Sequence, residues 1–512
     1  MRRRWVVVFA AGAVALLGTG CTRATPTTTT PVPSTTPVST AAVVPVAGGP
    51  AGSWGRAIEV PGLAALDKGG KGDVASVSCG SAGNCAAGGY YTRHGRYQGF
   101  VVSEANGRWG RAIEVPGLGA LNADGSAEVN SVSCGSAGNC AAGGSYLDRH
   151  RRSQGFVVSE TNGRWGRAIE VPGLAELNTG SDGRPGAAVT SVSCGSAGNC
   201  AAGGSYQDQH RHTQGFVASE TNGRWGRAIE VPGLGALNTG AFVAEGAEVT
   251  SVSCASAGNC AAGGYYSTRP VRDRVRRQAF VASEQNGRWG MAIEVPGIAA
   301  LNAGHYAEVF SVSCGSEGNC AAGGNAASSA PNINGGGDQQ GFVVSESNGA
   351  WGQAIEVPGL AALNTNGDAG VLSVSCASPA NCTAGGNYNY IYNHSYGKGY
   401  VVSEKNGTWS HAINVRGLQA VHAGQYTDVK SVSCASPGNC AAGGWYGDSE
   451  FQGLVVSENN GAWGRAINVP GLEALNKDGY ASVNSVSCAP AGNCVAGGSY
   501  MDSHGHFQGF VT

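Results

Sequence analysis

"HFQGFVT" (residues 506–512) ends the sequence, and "GSWGRAIEVPG" (52–62) opens its repetitive part. Seven other copies of the first phrase run straight into copies of the second, as in "QGFVVSETNGRWGRAIEVPG" at 154–173. The last copy has no fourth segment, and the first fourth segment has no third. The two ends complete each other.

Between them one unit is written eight times. Its markers are the pairs Cys79/Cys85, Cys134/Cys140, Cys194/Cys200, Cys254/Cys260, Cys314/Cys320, Cys376/Cys382, Cys434/Cys440 and Cys488/Cys494, each with five residues between and successive pairs 54 to 62 residues apart. A period of that length is one supersecondary unit. In the second copy "VNSVSC" (129–134), "CAAGGSY" (140–146) and "QGFVVSE" (154–160) read as short strands separated by loops. Asn162-Gly163 then stands between two apolar runs, the strongest short hairpin signal because both residues accept positive φ. "RWGRAIEV" is a fourth strand, closed by Pro172-Gly173.

Four antiparallel strands at this period are the pattern of a propeller blade. The expected fold is therefore all-β, an eight-bladed β-propeller of four-stranded antiparallel blades, with the ring closed by the N-terminal strand so that no sheet edge is left open. The propeller spans residues 51–512.

The preceding residues set the compartment. "MRRRWVVVFAAGAVALLGTGC" (1–21) reads as an export signal that ends on small residues before Cys21. The stretch "LLGTGC" resembles a bacterial lipobox, which implies lipidation of Cys21, with ordinary signal cleavage as the alternative. Residues 22–50 are a Thr/Pro-rich linker suited to an extended stalk. Seventeen cysteines point to an oxidising compartment, and sixteen of them pair off by position. With 85 glycines but 42% hydrophobic residues, the chain can bury a large core. Removing the three signal arginines takes the formal charge from −2 to −5, which argues against nucleic acid as a partner. Export with a lipid anchor outside the cytoplasmic membrane, or secretion, is expected, and the only membrane contact would be through that anchor.

The phrase "SETNGRW" resembles the Asp-box, or BNR, repeat of sialidase-like and photosystem II assembly-factor propellers. Ser159, Gly163 and Trp165 carry the likeness. Thr161 stands where that pattern has Asp, and one residue rather than two separates Gly from Trp. The unit with its "SVSC…NCAAGG" signature also resembles repeats of uncharacterised exported proteins of high-GC Gram-positive bacteria, a resemblance that carries no activity.

Repeated residues have structural readings. The cysteines flank the turn between the first two strands, which suits a disulfide across each hairpin better than a metal. Trp54, Trp109, Trp165, Trp225, Trp289, Trp351, Trp409 and Trp463 share one position and should pack between blades. Each Gly-Gly step suits a close approach of backbones. Glu160 recurs as Glu284, Glu346 and Glu404 where the nearby Arg becomes Met291, Gln353 or His411, so a contact to backbone or to a neighbouring blade fits better than an obligatory ion pair with Arg. Neither catalysis nor a cofactor is expected from residues repeated in every copy.

Function is sought where the copies differ. The loops between second and third strands, and those following "PGLxALN", should emerge on one face, opposite the constant turns. Two residues after each Gly-Gly stand Tyr91, Tyr146, Tyr206, Tyr266, Tyr388, Tyr446 and Tyr500, with Ala326 breaking the series. With Trp445, His150 and His210 they form the candidate binding set, aromatic faces beside polar groups that suit a sugar or a peptide. The alternative is that the tyrosines cover strand ends. Asp148/His150, Asp208/His210/His212 and Asp502/His504/His506 leave zinc as a minor alternative. The expected function is a monomeric, surface-anchored binding or scaffold propeller for a polysaccharide or envelope protein. An exported sialidase-like glycoside hydrolase or lyase and a purely structural envelope protein remain as alternatives.

Overall fold

The computed structural model describes residues 54–512, apart from Asp124, 181–185, 241–245, 272–273, 330–337, Asn366, 391–396 and 416–425. The expected signal peptide (1–21), Cys21 and the linker (22–50) lie outside the described residues. Eight antiparallel sheets follow one another around a ring. Blade one is built from Asp73–Ser81, Asn84–Arg93 and Arg96–Ala105, and its fourth strand from Arg108–Trp109 and Ile113–Glu114.

The eighth blade is closed as the two sequence ends require. Ala481–Ala489, Asn493–Met501 and Phe507–Val511 form its first three strands, and Ile58–Glu59 adds the fourth through the pairs Ile58↔Val511 and Glu59↔Phe510. In the other blades the fourth strand departs from the unbroken run expected. Trp165 pairs with Glu160 and Ile169 with Val157, but between them the Ala168 amide leaves the sheet to bond the Pro116 carbonyl of the preceding blade at 2.7 Å. The interruption is where blade joins blade.

"PGLxAL" coils into a single helical turn, as in Leu174–Leu177, entered through Gly173 at φ 78°. That turn presses a fully buried Leu174 into the space between blades two and three. The core is a series of such layers: Ala141 and Val157 from blade two meet Val189, Val192, Ala202 and Phe216 from blade three.

"SVSC" holds the middle of the ring. Ser131 Oγ accepts the Val192 amide of the next blade at 3.0 Å, and Ser133 Oγ accepts that of Cys194 at 2.9 Å. The same two bonds recur at every junction, including the last, where Ser485 and Ser487 accept from Val77 and Cys79. Two closed rings of serine hydroxyls thus satisfy amides of the innermost strands that have no sheet partner on that side.

Both glycines of each Gly-Gly step are explained by space. A Cβ on Gly203 would lie 2.5 Å from Val249 Cγ1 of the next blade, and one on Gly204 would lie 1.9 Å from the Ala188 carbonyl oxygen, where the first strand bulges between Val189 and Ser191.

All eight cysteine pairs form the disulfides expected of them: Cys79–Cys85, Cys134–Cys140, Cys194–Cys200, Cys254–Cys260, Cys314–Cys320, Cys376–Cys382, Cys434–Cys440 and Cys488–Cys494. Each crosses its hairpin between Cα atoms 3.9 to 4.0 Å apart. Their setting differs from that of two equal residues flanking a surface turn. The first cysteine of each pair is half-buried, whereas Cys85, Cys140, Cys200, Cys260, Cys320, Cys382 and Cys440 are buried, and Cys494 alone of the second cysteines stays half-buried. Strand alternation is the reason, since Cys200 lies on the same side of its strand as Ala202 and joins the layer between blades. The second cysteine is therefore also a core residue. Eight disulfides argue for an oxidising, extracellular setting.

Candidate functional site

One face of the ring is zipped shut. The Asn-Gly turn of each hairpin docks on the C-x5-C turn of the same blade, with the Gly163 amide bonding the Gly138 carbonyl at 2.8 Å and the Asn162 amide bonding Asn139 Oδ1 at 3.2 Å. Beside it a clip joins the blades. Ser103 Oγ donates to Glu160 Oε1 at 2.6 Å and accepts from Trp165 Nε1 at 2.9 Å, so one serine holds both residues of the next blade's hairpin. The repeated Glu and Trp are therefore structural, as expected. Burial holds the Glu160 carboxyl above the ordinary glutamate range, against the lowering effect of Ser103, and Glu220, Glu284, Glu346, Glu404 and Glu458 follow the same pattern.

On the opposite face the segment after each helical turn meets the end of the second strand, as where the Lys68 and Gly69 amides bond the Thr92 carbonyl. Here the tyrosine expectation is corrected. Tyr91, Tyr146, Tyr206, Tyr266, Tyr388, Tyr446 and Tyr500 are at most 5% exposed, so they present no ring of aromatic faces to a ligand. Each instead lies in the layer between blades, and its hydroxyl donates to the fourth strand: Tyr146 to Glu170 at 2.7 Å, Tyr206 to Glu230 at 2.9 Å, Tyr388 to Asn414 at 2.6 Å. Burial, followed by the carboxylate beside it, pushes the Tyr206 hydroxyl well up. The physical reason is again strand alternation: Tyr206 shares a side with Ala202 and Cys200, which face the preceding blade.

His150 and His210 are exposed loop residues. The Asp-x-His spacing is turn chemistry, since Asp148 Oδ1 accepts the amides of His150 (2.8 Å) and Arg152 (2.9 Å), and Asp208 and Asp502 do the same in their loops. Against a burial that would raise it, those amides hold Asp148 below the usual carboxylate range. Among the described residues no group of three or more His, Cys, Asp or Glu is placed to hold a metal ion.

Trp445 is the member of the candidate set that the structure brings into a partly exposed aromatic group. Its ring meets Phe451 edge-on at 4.7 Å, Phe451 meets Tyr480 at 5.6 Å, and Tyr480 meets Phe507 at 5.0 Å. This row, half-buried throughout, crosses from blade seven to blade eight. On blade one Tyr90 packs edge-on against Tyr97 at 5.1 Å, and Tyr97 is 37% exposed.

Polar groups lie beside these rings where the first strands begin. Asp428 pairs across its hairpin with Trp445, and Asp73 with Tyr90. Lys430 Nζ donates to Ser482 Oγ at 3.1 Å, Asn484 Nδ2 to Asp73 Oδ1 at 2.8 Å, and Asn387 Nδ2 to Asp428 Oδ1 at 3.1 Å. Burial pushes the Asp73 carboxyl up to about 6, opposed by the Lys430 ammonium. Asp428 is raised for the same reason, with the same opposition.

On blades four and five Arg277 sits 3.9 Å over the Tyr265 ring and bonds Glu308 at 2.6 Å, a cluster whose groups satisfy one another. The aromatic row was missed in the sequence, although a signal for it exists. The residue directly after Gly-Gly varies (Tyr90, Ser145, Ser205, Tyr265, Asn325, Asn387, Trp445, Ser499), whereas the next is almost constant. Variation lies one residue earlier, on the side of the strand that becomes accessible at its end.

Fold and site together define an eight-bladed β-propeller with one zipped face and one face of individual character. No protein-family model matches the chain, and no curated protein matches it. Among solved structures it is similar to Sqt1 from Chaetomium thermophilum, at 10% identity and a TM-score of 0.47 over 90% of this chain and 99% of that one. It is also similar to a Hadza microbial sialidase (10% identity, TM-score 0.36, 81% of this chain and 73% of that one). A third is an ulvan lyase (9% identity, TM-score 0.39, 72% and 89%). The propeller assignment rests on this chain's own strand pairing.

Proposed function

We propose that this chain is an exported, monomeric binding propeller, anchored at the cell surface through Cys21, which holds a polysaccharide on its variable face. The observation that carries the reading is the row Trp445, Phe451, Tyr480 and Phe507, with Asp428, Lys430, Asn484 and Asp73 beside it. Aromatic surface offers an apolar platform to the C–H faces of a sugar, and the neighbouring carboxylates, amide and ammonium match its hydroxyls. The row belongs to single blades and not to the repeat, as a specific site requires.

The test is to incubate the purified exported protein with an array of cell-wall and extracellular polysaccharides and to score retention and released sugar together. Retention without release, weakened about tenfold or more by Trp445→Ala, supports the reading. Tyr146→Ala serves as a control that lowers stability and leaves affinity per folded molecule unchanged. No retention by any polysaccharide would overturn it in favour of an envelope protein partner or a structural role.

A second reading is favoured by Asp73. A carboxyl held near 6 is suited to donate a proton at neutral pH, as a glycoside hydrolase or lyase needs. The Asp-box resemblance of "SETNGRW" points the same way. Sugar release that disappears in Asp73→Asn would establish that reading over simple binding.

A further inference from the structure

Blade five departs from the other seven at one buried position. Ala326, 1% exposed, occupies the place of the tyrosine, yet the surroundings that hold the ring elsewhere are kept. Ala326 pairs with Gln340 as Tyr146 pairs with Gln154, Phe342 stands where Phe156 does, and Glu356 provides the fourth-strand carboxylate that Glu170 provides in blade two. The result is a pocket of about 190 Å3 that opens to solvent beside Ala303 and Ser328 and is floored by Ala326, Gln340, Phe342 and Glu356.

Two acceptors in its lining are left over. Glu356 Oε1 and Gln340 Oε1 are both buried and without a hydrogen-bond partner. In blade two the Glu170 carboxylate takes the Tyr146 hydroxyl, and Gln154 Oε1 takes Asn178 Nδ2 at 2.9 Å. In blade five the Tyr is absent, and Asn364 Nδ2 keeps its bond to the Gln339 carbonyl, as Asn178 does to Ser153, but makes none to Gln340 Oε1. A buried acceptor without a donor is costly, so the pocket favours a guest that brings one. Its size is sufficient for a six-membered ring, because an apolar protein cavity of about 150 Å3 holds benzene.

We infer that the blade-five pocket binds the phenol ring of a small ligand, its hydroxyl donating to Glu356 as the tyrosine hydroxyl does in the other blades. The site is separate from the aromatic row on blades seven and eight, and it stands whether or not that row holds a polysaccharide. Burial raises the Glu356 carboxyl, opposed by the Ala361 amide that bonds it, so the unpartnered group is Oε1 alone.

The test uses p-cresol, the tyrosine side chain as a free molecule, with toluene as its partner lacking the hydroxyl, titrated into the purified exported protein by calorimetry and ligand-observed NMR. The expected result is saturable binding of one p-cresol, about tenfold or more tighter than toluene, the range for a hydrogen bond to a charged acceptor. Ala326→Tyr should abolish binding and raise the unfolding temperature by filling the hole. Glu356→Gln should keep the preference for p-cresol, since Asn414 and Asn468 accept the tyrosine hydroxyl in blades six and seven. Glu356→Leu should remove it. Absence of saturable p-cresol binding, binding that survives Ala326→Tyr, or equal affinity for toluene would each overturn the inference.

Discussion

Val60 gives the sharpest test of ring closure. It is wholly buried directly after the strand that completes blade eight, and its amide bonds the Gly509 carbonyl at 3.0 Å. Val171 is its counterpart inside an uninterrupted blade, equally buried, with its amide on Gly155 at 3.0 Å. The neighbouring bonds match too: Ala57 reaches Pro470 at 2.8 Å and Trp54 reaches Ser457 at 3.2 Å, where Ala168 reaches Pro116 at 2.7 Å and Trp165 reaches Ser103 at 2.9 Å. Truncating either valine to alanine removes two buried methyl groups, worth about 0.8 kcal/mol each, and leaves a small cavity, for a total of about 2 kcal/mol. The two substitutions should therefore cost the same to within about 0.5 kcal/mol in guanidinium unfolding with disulfides intact. Deleting residues 52–62 should go further, because it strips the third strand of blade eight of its partner and exposes a sheet edge. A Val60→Ala variant as stable as the parent, beside a Val171→Ala variant that is not, would refute closure by the N-terminal strand.

Other measurements probe the remaining devices. The interblade glutamates, including Glu160, Glu220 and Glu284, have folded pKa values raised by burial above the reference of 4.5, so folding favours their protonated form. That contribution is fully present below the unfolded value and lost as pH rises through the folded one; the melting temperature should climb as pH is lowered from 7 towards 5, and a fall across that interval would contradict it. Gly204→Ala places a carbon 1.9 Å from a backbone oxygen and should destabilise by about 3 kcal/mol or more, whereas Gly186→Ala, with nothing within 4 Å, should be silent. Intact-mass thiol counting should find all sixteen repeat cysteines oxidised, and replacing the Cys194–Cys200 pair by serines should cost about 2 kcal/mol for so short a loop. Free thiols in most pairs would remove the staples from the account.

The period, the blade and the closure were legible in residues 52–512 because they rest on local signals that repeat. The Asn-Gly turns, the cysteine spacing and the complementary ends state which strand follows which, and strand order is the topology of a propeller. Even the division into a constant and a variable face follows from chain order alone, because successive turns alternate between the two ends of a blade. The roles of the serines in "SVSC" and of the Ser-Glu-Trp clip were only partly readable, since each joins residues some 60 positions apart in different copies.

What the tertiary structure alone decided is which side of a strand end meets water. Tyr146 and Trp445 are both aromatic residues beside a Gly-Gly step, and composition cannot separate them. One position of register sends Tyr146 between blades, onto Glu170, and leaves Trp445 half exposed, because neighbouring blades cover one side of the strand further than the other. The same packing turns Ala326 from a missing member of a surface ring into a pocket with an unpaired carboxylate oxygen. Sequence determined the number of blades, their order and where the ring is joined; burial between blades, a property of the closed ring, decided which aromatic groups a ligand can reach.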